Sequence, residues 1–371
     1  MRCSQWENKF KDRKHYCLSV DREICSPSEL DFDECIDDLA PSFLIKTSGS
    51  SGEAKWVVYS KECLLEHAVL VRDHLKIGVG DNLGLMLPTH HVGGLGVIAR
   101  TIVSGANLVR FDEKWSASAG LRFLTVNKVS VVSLVPTQLV DLVSDRCYCP
   151  VSVRIVIVGG GKLDEVSKLA AIELGWPIYE SYGMTETGSQ IATGEFAEDG
   201  YLKLIDGWQV RTGEDSLLEV KGACLFNGYL TNKTGQYVFL DPKENGWFKT
   251  SDRVSIKITE KGIGLRFLSR GDQMVKILGE LVDVSVLESR LVEFLGVEVY
   301  LAVFNDERRG SKLVPVANTM RLASKIDEIG WRGIESLEKA VVVSDFPKNE
   351  MGKLNRFKLI EQVESIVFPA S

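Results

Sequence analysis

Between residues 43 and 205, short apolar runs rich in β-branched residues alternate with stretches of helical period, and no other pattern in the chain leaves so few folds open. The series reads FLIKTS, Cys63 to Leu75, LGLMLP, Val92 to Val103, ANLVRF, Ala117 to Val126, VSVVSLVP, VRIVIVGG, Leu163 to Leu174 and PIYESYG. Continuous apolar runs joined by amphipathic helices are strands covered on both faces, so the expected class is α/β, a layered fold containing parallel sheet. After residue 205 the runs shorten, and WQVRTGEDSLLEVKG, QYVFLD and RVSIKITEKGIGLRFLSRGD read as hairpins of a small β-rich subdomain. A fresh α+β pattern follows: a helix from Ser285 to Phe294, strands VEVYLAVF and KLVPVAN, a helix around Ser324 to Gly330 and a strand AVVVSDFP. A chain of 371 residues exceeds the size at which single cores stop growing. Charges and glycine at SRGDQ interrupt two hydrophobic patterns, which sets expected domains of 1–271 and 272–371.

Charge narrows the choice of partners. A formal net charge of -7 argues against a broad nucleic-acid surface, which needs clustered Lys and Arg, so an anionic ligand must be held locally. The N-terminal MRCSQWENKFKDRKHYC is charged throughout, and no uncharged apolar run approaches the ~20 residues of a membrane span. The expectation is a cytoplasmic protein with no membrane partner. Its eight cysteines are scattered, which favours free thiols, and Cys147 and Cys149 lack a second pair at zinc-site spacing.

The segment Thr47-Ser48-Gly49-Ser50-Ser51-Gly52-Glu53-Ala54-Lys55 follows a short strand. Glycines let backbone amides approach an anion, the hydroxyls donate further hydrogen bonds and Lys55 supplies a point charge. It is not a Walker A loop, because it contains no Gly-Lys pair. Taken alone it is either a phosphate cradle or a solvated surface loop.

The loop resembles the phosphate-binding signature of the adenylate-forming superfamily, which includes acyl- and aryl-CoA ligases, luciferases and peptide-synthetase adenylation domains. Four further motifs follow in that superfamily's order: Tyr182-Gly183-Met184-Thr185-Glu186-Thr187, Gly246-Trp247-Phe248-Lys249-Thr250-Ser251-Asp252, Arg270-Gly271-Asp272-Gln273-Met274-Val275-Lys276 and Pro347-Lys348-Asn349-Glu350-Met351-Gly352-Lys353-Leu354. The resemblance implies an adenylate-forming fold, a large N-terminal α/β domain with a small β-rich subdomain and a small mobile C-terminal domain. It further implies that Tyr182 stacks on adenine, Gly183 lets the backbone come close, Thr185 bonds a phosphate and Glu186 takes Mg²⁺. Asp252 would hold the ribose hydroxyls, Arg270 the nucleotide, and Asp272 would be the pivot of the C-terminal domain. Lys353 would enter the site for adenylation, bridging the negative charges that a carboxylate and an α-phosphate bring together. Ser251 stands where the superfamily usually has glycine.

Leu87-Pro88-Thr89-His90-His91-Val92-Gly93-Gly94-Leu95 is similar to the acyl-pocket segment of o-succinylbenzoate CoA ligases of menaquinone synthesis. By that resemblance His91 walls the acyl site and Gly159-Gly160-Gly161 forms a backbone strip beside the adenine, although His91 is equally readable as a satisfied core histidine. The CoA channel would lie partly on the C-terminal domain, where Lys276-Ile277-Leu278-Gly279-Glu280 replaces a commoner double-glycine form and Lys276 joins the cofactor-binding residues. Only 46 residues precede Thr47, fewer than is usual in the superfamily, so a reduced first subdomain is expected. The implied partners are ATP, Mg²⁺, coenzyme A and an aromatic carboxylate, and a homodimer is among the assemblies the resemblance allows. Two alternatives stay open. One is acyl or aminoacyl transfer to a carrier protein, although no acidic residue between Leu83 and Phe111 could pair with an ammonium; the other is a nucleotide-binding homologue without catalysis.

Overall fold

The strands Asn82–Leu85, Val131–Leu134 and Ile155–Val158 are almost wholly buried, as apolar runs covered on both faces must be. They lie side by side in parallel, with Asn107–Arg110 on one flank and Ile178–Met184 on the other. In the computed structural model, which describes residues 3–20, 24–30, 32–48, 54–197, 200–213, 216–233, 235–260, 262–329, 337–349, 352 and 354–367, these five strands form one end of an eleven-stranded sheet. Ser189–Ala197 pairs antiparallel with Ile178–Met184, Tyr201–Leu204 pairs antiparallel with it in turn, and the sheet continues through Gly262–Arg270, Phe248–Thr259, Leu217–Lys221 and Gln209–Thr212.

Helices Val92–Ser104, Ala117–Val126, Pro136–Ser144 and Glu165–Glu173 connect the parallel strands. Ser116 and Asp164 cap two of them, their side chains accepting the amides of Ala119 and Ser167. Leu124, Val132, Leu139, Val156 and Trp176 pack into the core between helices and sheet.

One expected member of the parallel set belongs elsewhere. FLIKTS forms the strand Ser42–Ser48, but it pairs antiparallel with Ala54–Ser60, Ile45 opposite Val57, and parallel with Tyr16–Leu18. With Gly228–Lys233 and Gln236–Leu240 these make a separate five-stranded sheet. Chain length is the reason: five residues separate Ser48 from Ala54, enough for a hairpin but too few for the dozen or more that a parallel crossover needs. The N-terminal helix Cys3–Lys11 and Tyr16 are clasped to this sheet by Lys61, whose ammonium bonds the Asp12 carboxylate at 2.6 Å while Tyr16 donates to the same carboxylate.

The chain divides into two compact units, Met1–Gly213 with Leu218–Thr250 and Ser255–Arg266, and Glu214–Leu217 with Ser251–Val254 and Phe267–Ser371. In the second, Tyr300–Asp306 and Gly310–Ala317 form an antiparallel hairpin, extended in parallel by the two residues Val341–Val342 of the run AVVVSDFP. Helix Val284–Leu295, capped by Asp283, packs Leu287 and Leu291 against Leu301 and Leu313. The next helix runs Met320–Glu328, earlier than Ser324 to Gly330, because Thr319 caps it through the Leu322 amide. The helix Arg356–Val367 docks by a two-pronged ion pair from Arg356 to the buried Glu288.

Candidate active site

The hairpin Ser42–Ser48/Ala54–Ser60 brings the two ends of the hydroxyl-rich loop together. Thr47 lies opposite Lys55, its hydroxyl donating to the Lys55 carbonyl at 3.3 Å, and Ser48 lies opposite Ala54. Gly49, Ser50, Ser51 and Gly52 lie outside the described residues. Side chains alternate along a strand, so Lys55 shares a face with Val57 and meets Tyr229 of the neighbouring strand, its ammonium 4.1 Å from the ring centre. The Tyr229 hydroxyl donates to Glu186 Oε1 at 2.7 Å. Burial, with the Glu186 charge beside it, pushes the Tyr229 phenol far above its ordinary range, so it stays a neutral donor.

Glu186 sits in the 3-10 turn Thr185–Thr187 at the end of Ile178–Met184, its backbone carbonyl accepting the Phe226 amide. The turn is locked twice, since the Thr187 hydroxyl accepts the Met184 amide and Gly188 closes it with φ 71°. A register shift between Tyr182 and Gly183 bends the strand where the motif begins. Only glycine fits at 183, because a Cβ there would stand 1.7 Å from the Ser189 carbonyl oxygen. Ser189 itself holds φ 141°, a region L-residues rarely adopt, so backbone strain is concentrated in this turn. The glycine strip adjoins it: a Cβ on Gly159 would meet the Ser181 hydroxyl at 2.5 Å, Gly160 has φ 84°, and Gly161 continues the strip. Gly159 to Gly161, Tyr182, Gly183, Thr185 and Glu186 thus converge in the first unit.

His91 is the first residue before helix Val92–Ser104 and is tilted against His90, ring centres 4.6 Å apart. The helix carries a group that sequence reasoning passed over. Arg100 is 2% exposed, donates through Nη2 to the Ser133 hydroxyl at 3.2 Å, and its Nε has no hydrogen-bond partner among the described residues. No ion pair compensates it there, and burial pushes its guanidinium down to about 10. The Ser189 hydroxyl is likewise buried without a hydrogen-bond partner among the described residues, and a Cβ on Gly96 would lie 3.4 Å from both it and Arg100 Nη1. A buried cation without a counter-charge costs several kcal/mol, so the cluster of Arg100, Ser133 and Ser189 beside Gly96 could hold an anion from outside the chain. The sequence did hold a signal: Arg100 is the lone Lys, Arg, Asp or Glu from Leu83 to Val109. Tyr229 offered none, because a strand aromatic is ordinarily core.

In the second unit, Asp252 is buried and Arg270 Nε lies 3.2 Å from its Oδ1, so these two expected ligand groups form an ion pair. Gly271 to Gln273 form a 3-10 turn, which places the Asp272 backbone; its side chain lies outside the described residues. Lys276 is exposed on the strand Met274–Ile277, and Lys353 lies outside the described residues. Among the described residues no cluster of three His, Cys, Asp or Glu could cage a metal. Glu186 still fits Mg²⁺, which is commonly held by one or two carboxylates together with nucleotide phosphates.

A family model described as AMP-binding enzyme matches residues 7–230. The 2-succinylbenzoate--CoA ligase of Listeria monocytogenes serotype 4b (strain F2365) is 29% identical over 337 residues, covering 85% of this chain and 69% of the relative. That of Bacillus pumilus (strain SAFR-032) is 29% identical, covering 74% and 58%. The chain thus spans between about half and about two thirds of the length of the curated relatives it matches. Among solved structures, the o-succinylbenzoate CoA synthetase of Bacillus subtilis in complex with the acyl-adenylate intermediate OSB-AMP aligns with a TM-score of 0.71 at 25% identity, covering 85% of this chain and 68% of that one. Matched by the family model over more than half of its length, the chain belongs to the AMP-binding enzyme family.

Proposed function

We propose that the protein is an acid-thiol ligase that activates a carboxylic acid as acyl-AMP and transfers the acyl group to coenzyme A, and that its acid carries a second carboxylate, as o-succinylbenzoate does. The observation that carries the choice of acid is Arg100, a buried guanidinium whose only partner among the described residues is a serine hydroxyl. A ligand carboxylate against Arg100, Ser133 and Ser189 satisfies all three, and the acyl group then lies along the glycine-rich start of helix Val92–Ser104. The relatives named as 2-succinylbenzoate--CoA ligases and the B. subtilis structure with OSB-AMP support the same acid.

In the first half-reaction a carboxylate oxygen of the acid attacks the α-phosphorus of ATP and pyrophosphate leaves. In the second, a CoA thiolate attacks the acyl carbonyl and AMP leaves with the oxygen that bridged them. Lys55 and the Thr47 to Gly52 loop would hold the polyphosphate, Tyr182 and the strip Gly159 to Gly161 the adenine, Asp252 and Arg270 the ribose side. Glu186 would hold Mg²⁺, which when bound offsets phosphate charge. Lys353 would stabilise the charge that develops at the α-phosphate, with Asp272 as the hinge between domains 1–271 and 272–371 and Lys276 beside the CoA path; these three roles rest on their motifs. Within the same proposal the protein works in the cytoplasm, and as a homodimer if it follows the resemblance. Among the described residues no helix is long and apolar enough to cross a membrane.

Pyrophosphate release from MgATP with a panel of acids tests the proposal. Aryl diacids should support release and CoA-thioester formation, and Lys353→Ala should abolish it. Arg100→Gln should raise KM for the diacid by roughly 10- to 100-fold, the loss expected of a charge-assisted hydrogen bond, while leaving KM for ATP unchanged. Equal use of monoacids and diacids, or an unaltered KM in R100Q, contradicts the diacid assignment; release only with a carrier-protein acceptor replaces CoA; no release with any acid contradicts the ligase.

A further inference from the structure

The geometry points to Tyr229 as a positioning residue for the polyphosphate end of the site: its hydroxyl aims the Glu186 carboxylate at a nucleotide-bound Mg²⁺, and its ring seats the Lys55 ammonium. The inference rests on the ATP-binding role proposed above for Glu186 and Lys55.

Strand pairing produces the arrangement. Gly228–Lys233 runs antiparallel to Ala54–Ser60 with Tyr229 opposite Val57, and this places Tyr229 diagonal to Lys55 on one face of the sheet. Trp56, Val58 and Leu230 point to the other face, where they pack with Phe32 and Leu44. Tyr229 is 7% exposed, and its ring is held by Phe226, tilted against it at 4.8 Å between centres, and by Phe248, edge-on at 6.5 Å. A ring so held delivers its hydroxyl to a fixed point, and that point is Glu186 Oε1, 2.7 Å away. Among the described residues Glu186 Oε2 accepts no hydrogen bond, so one carboxylate oxygen is tied down and the other is presented in a fixed direction. Mg²⁺ demands near-octahedral geometry, and a ligand oriented in advance by an outer hydrogen bond binds it better. The ring face meanwhile attracts the Lys55 ammonium without neutralising it. One side chain therefore sets both the metal ligand and the phosphate cation.

Calorimetric titration of the full chain with ATP over a series of Mg²⁺ concentrations, with no acid present, tests this independently of turnover. Tyr229→Phe keeps the ring, so the variant should melt within a few degrees of wild type and bind Mg²⁺-free ATP equally well. It should need roughly tenfold more Mg²⁺ for half-maximal MgATP binding, the loss expected of a hydrogen bond to a charged group. Glu186→Gln should show a similar shift, and the double variant should add little to either. Tyr229→Leu should also weaken Mg²⁺-free ATP several-fold, through Lys55. If Y229F fails to fold, fluorotyrosine-labelled wild type reports the same contact, because MgATP should move the Tyr229 ¹⁹F resonance in wild type and not in E186Q. An unchanged Mg²⁺ dependence in Y229F, additive effects in the double variant or an unmoved resonance overturns the positioning role and leaves the ligase proposal standing. A wild type that binds no MgATP overturns both.

Discussion

His67 is fully buried against Gly188 and the Trp208 ring, its Nε2 donating to the Gln190 carbonyl at 2.8 Å. Burial pushes its imidazole down to about 4, the hydrogen bond to Gln190 pulls against that, and the Arg100 charge pushes the same way as burial. The folded protein therefore keeps His67 neutral where the unfolded chain would protonate it. Its effect is absent above pH 6.5, grows as pH falls from 6.5 towards 4, and levels off below 4, where the native imidazole also takes a proton. At about 1.4 kcal/mol for each pH unit, the loss reaches on the order of 3 kcal/mol. Denaturant midpoints of wild type and His67→Gln across this range should diverge on acidification, wild type losing more; parallel curves would contradict a neutral buried imidazole. His67 braces the strand residue next to Ser189, whose strained backbone adjoins both Gly183 and Arg100. At this scale the sequence was legible where motif chemistry is local, as at Gly183 and Glu186. It was silent where function depends on a neighbour distant in sequence, as Tyr229 is for Glu186.

Short elements follow their loops as much as their own residues. The hairpin Met274–Ile277/Glu280–Asp283 turns through Leu278 and Gly279, both with positive φ, 53° and 89°. A two-residue turn of this kind suits glycine, and a leucine in the left-handed region costs about 1–2 kcal/mol. Leu278 is exposed and contributes no core packing to offset that cost. Leu278→Gly should stabilise the second unit by about 0.5–1 kcal/mol, after the added freedom of glycine in the unfolded chain is deducted. Chemical denaturation checks this, and an unchanged or lowered midpoint would show that the turn is unstrained. The same dependence on loops explains which elements the sequence revealed. VSVVSLVP and VRIVIVGG form buried strands, and the helices before the first and after the second, Ala117–Val126 and Glu165–Glu173, fall where the apolar period places them. FLIKTS also opens on an apolar run but lies in another sheet, since the five residues after it permit only a hairpin. The helix Pro136–Ser144 went unread because its PTQLVDLVS begins directly after an apolar strand and merges with it in pattern.

Across the whole molecule, the motifs from Thr47 to Lys353 carry the proposed nucleotide chemistry, while the buried cluster of Arg100, Ser133 and Ser189 carries the proposal of an anionic group on the acid. The order of motifs was legible because each needs particular residue types next to one another. The buried cluster was not, because Arg100, Ser133 and Ser189 are brought together by a helix, a strand and a strained turn. Both parts meet in one claim, that the acid's own carboxylate becomes bonded to AMP. Incubating the protein with MgATP, CoA and an aryl diacid labelled with ¹⁸O in its carboxylates, then weighing the AMP by mass spectrometry, tests that claim most directly. Acyl-adenylate chemistry predicts one ¹⁸O atom in each AMP released, together with unlabelled pyrophosphate. AMP without label would contradict it.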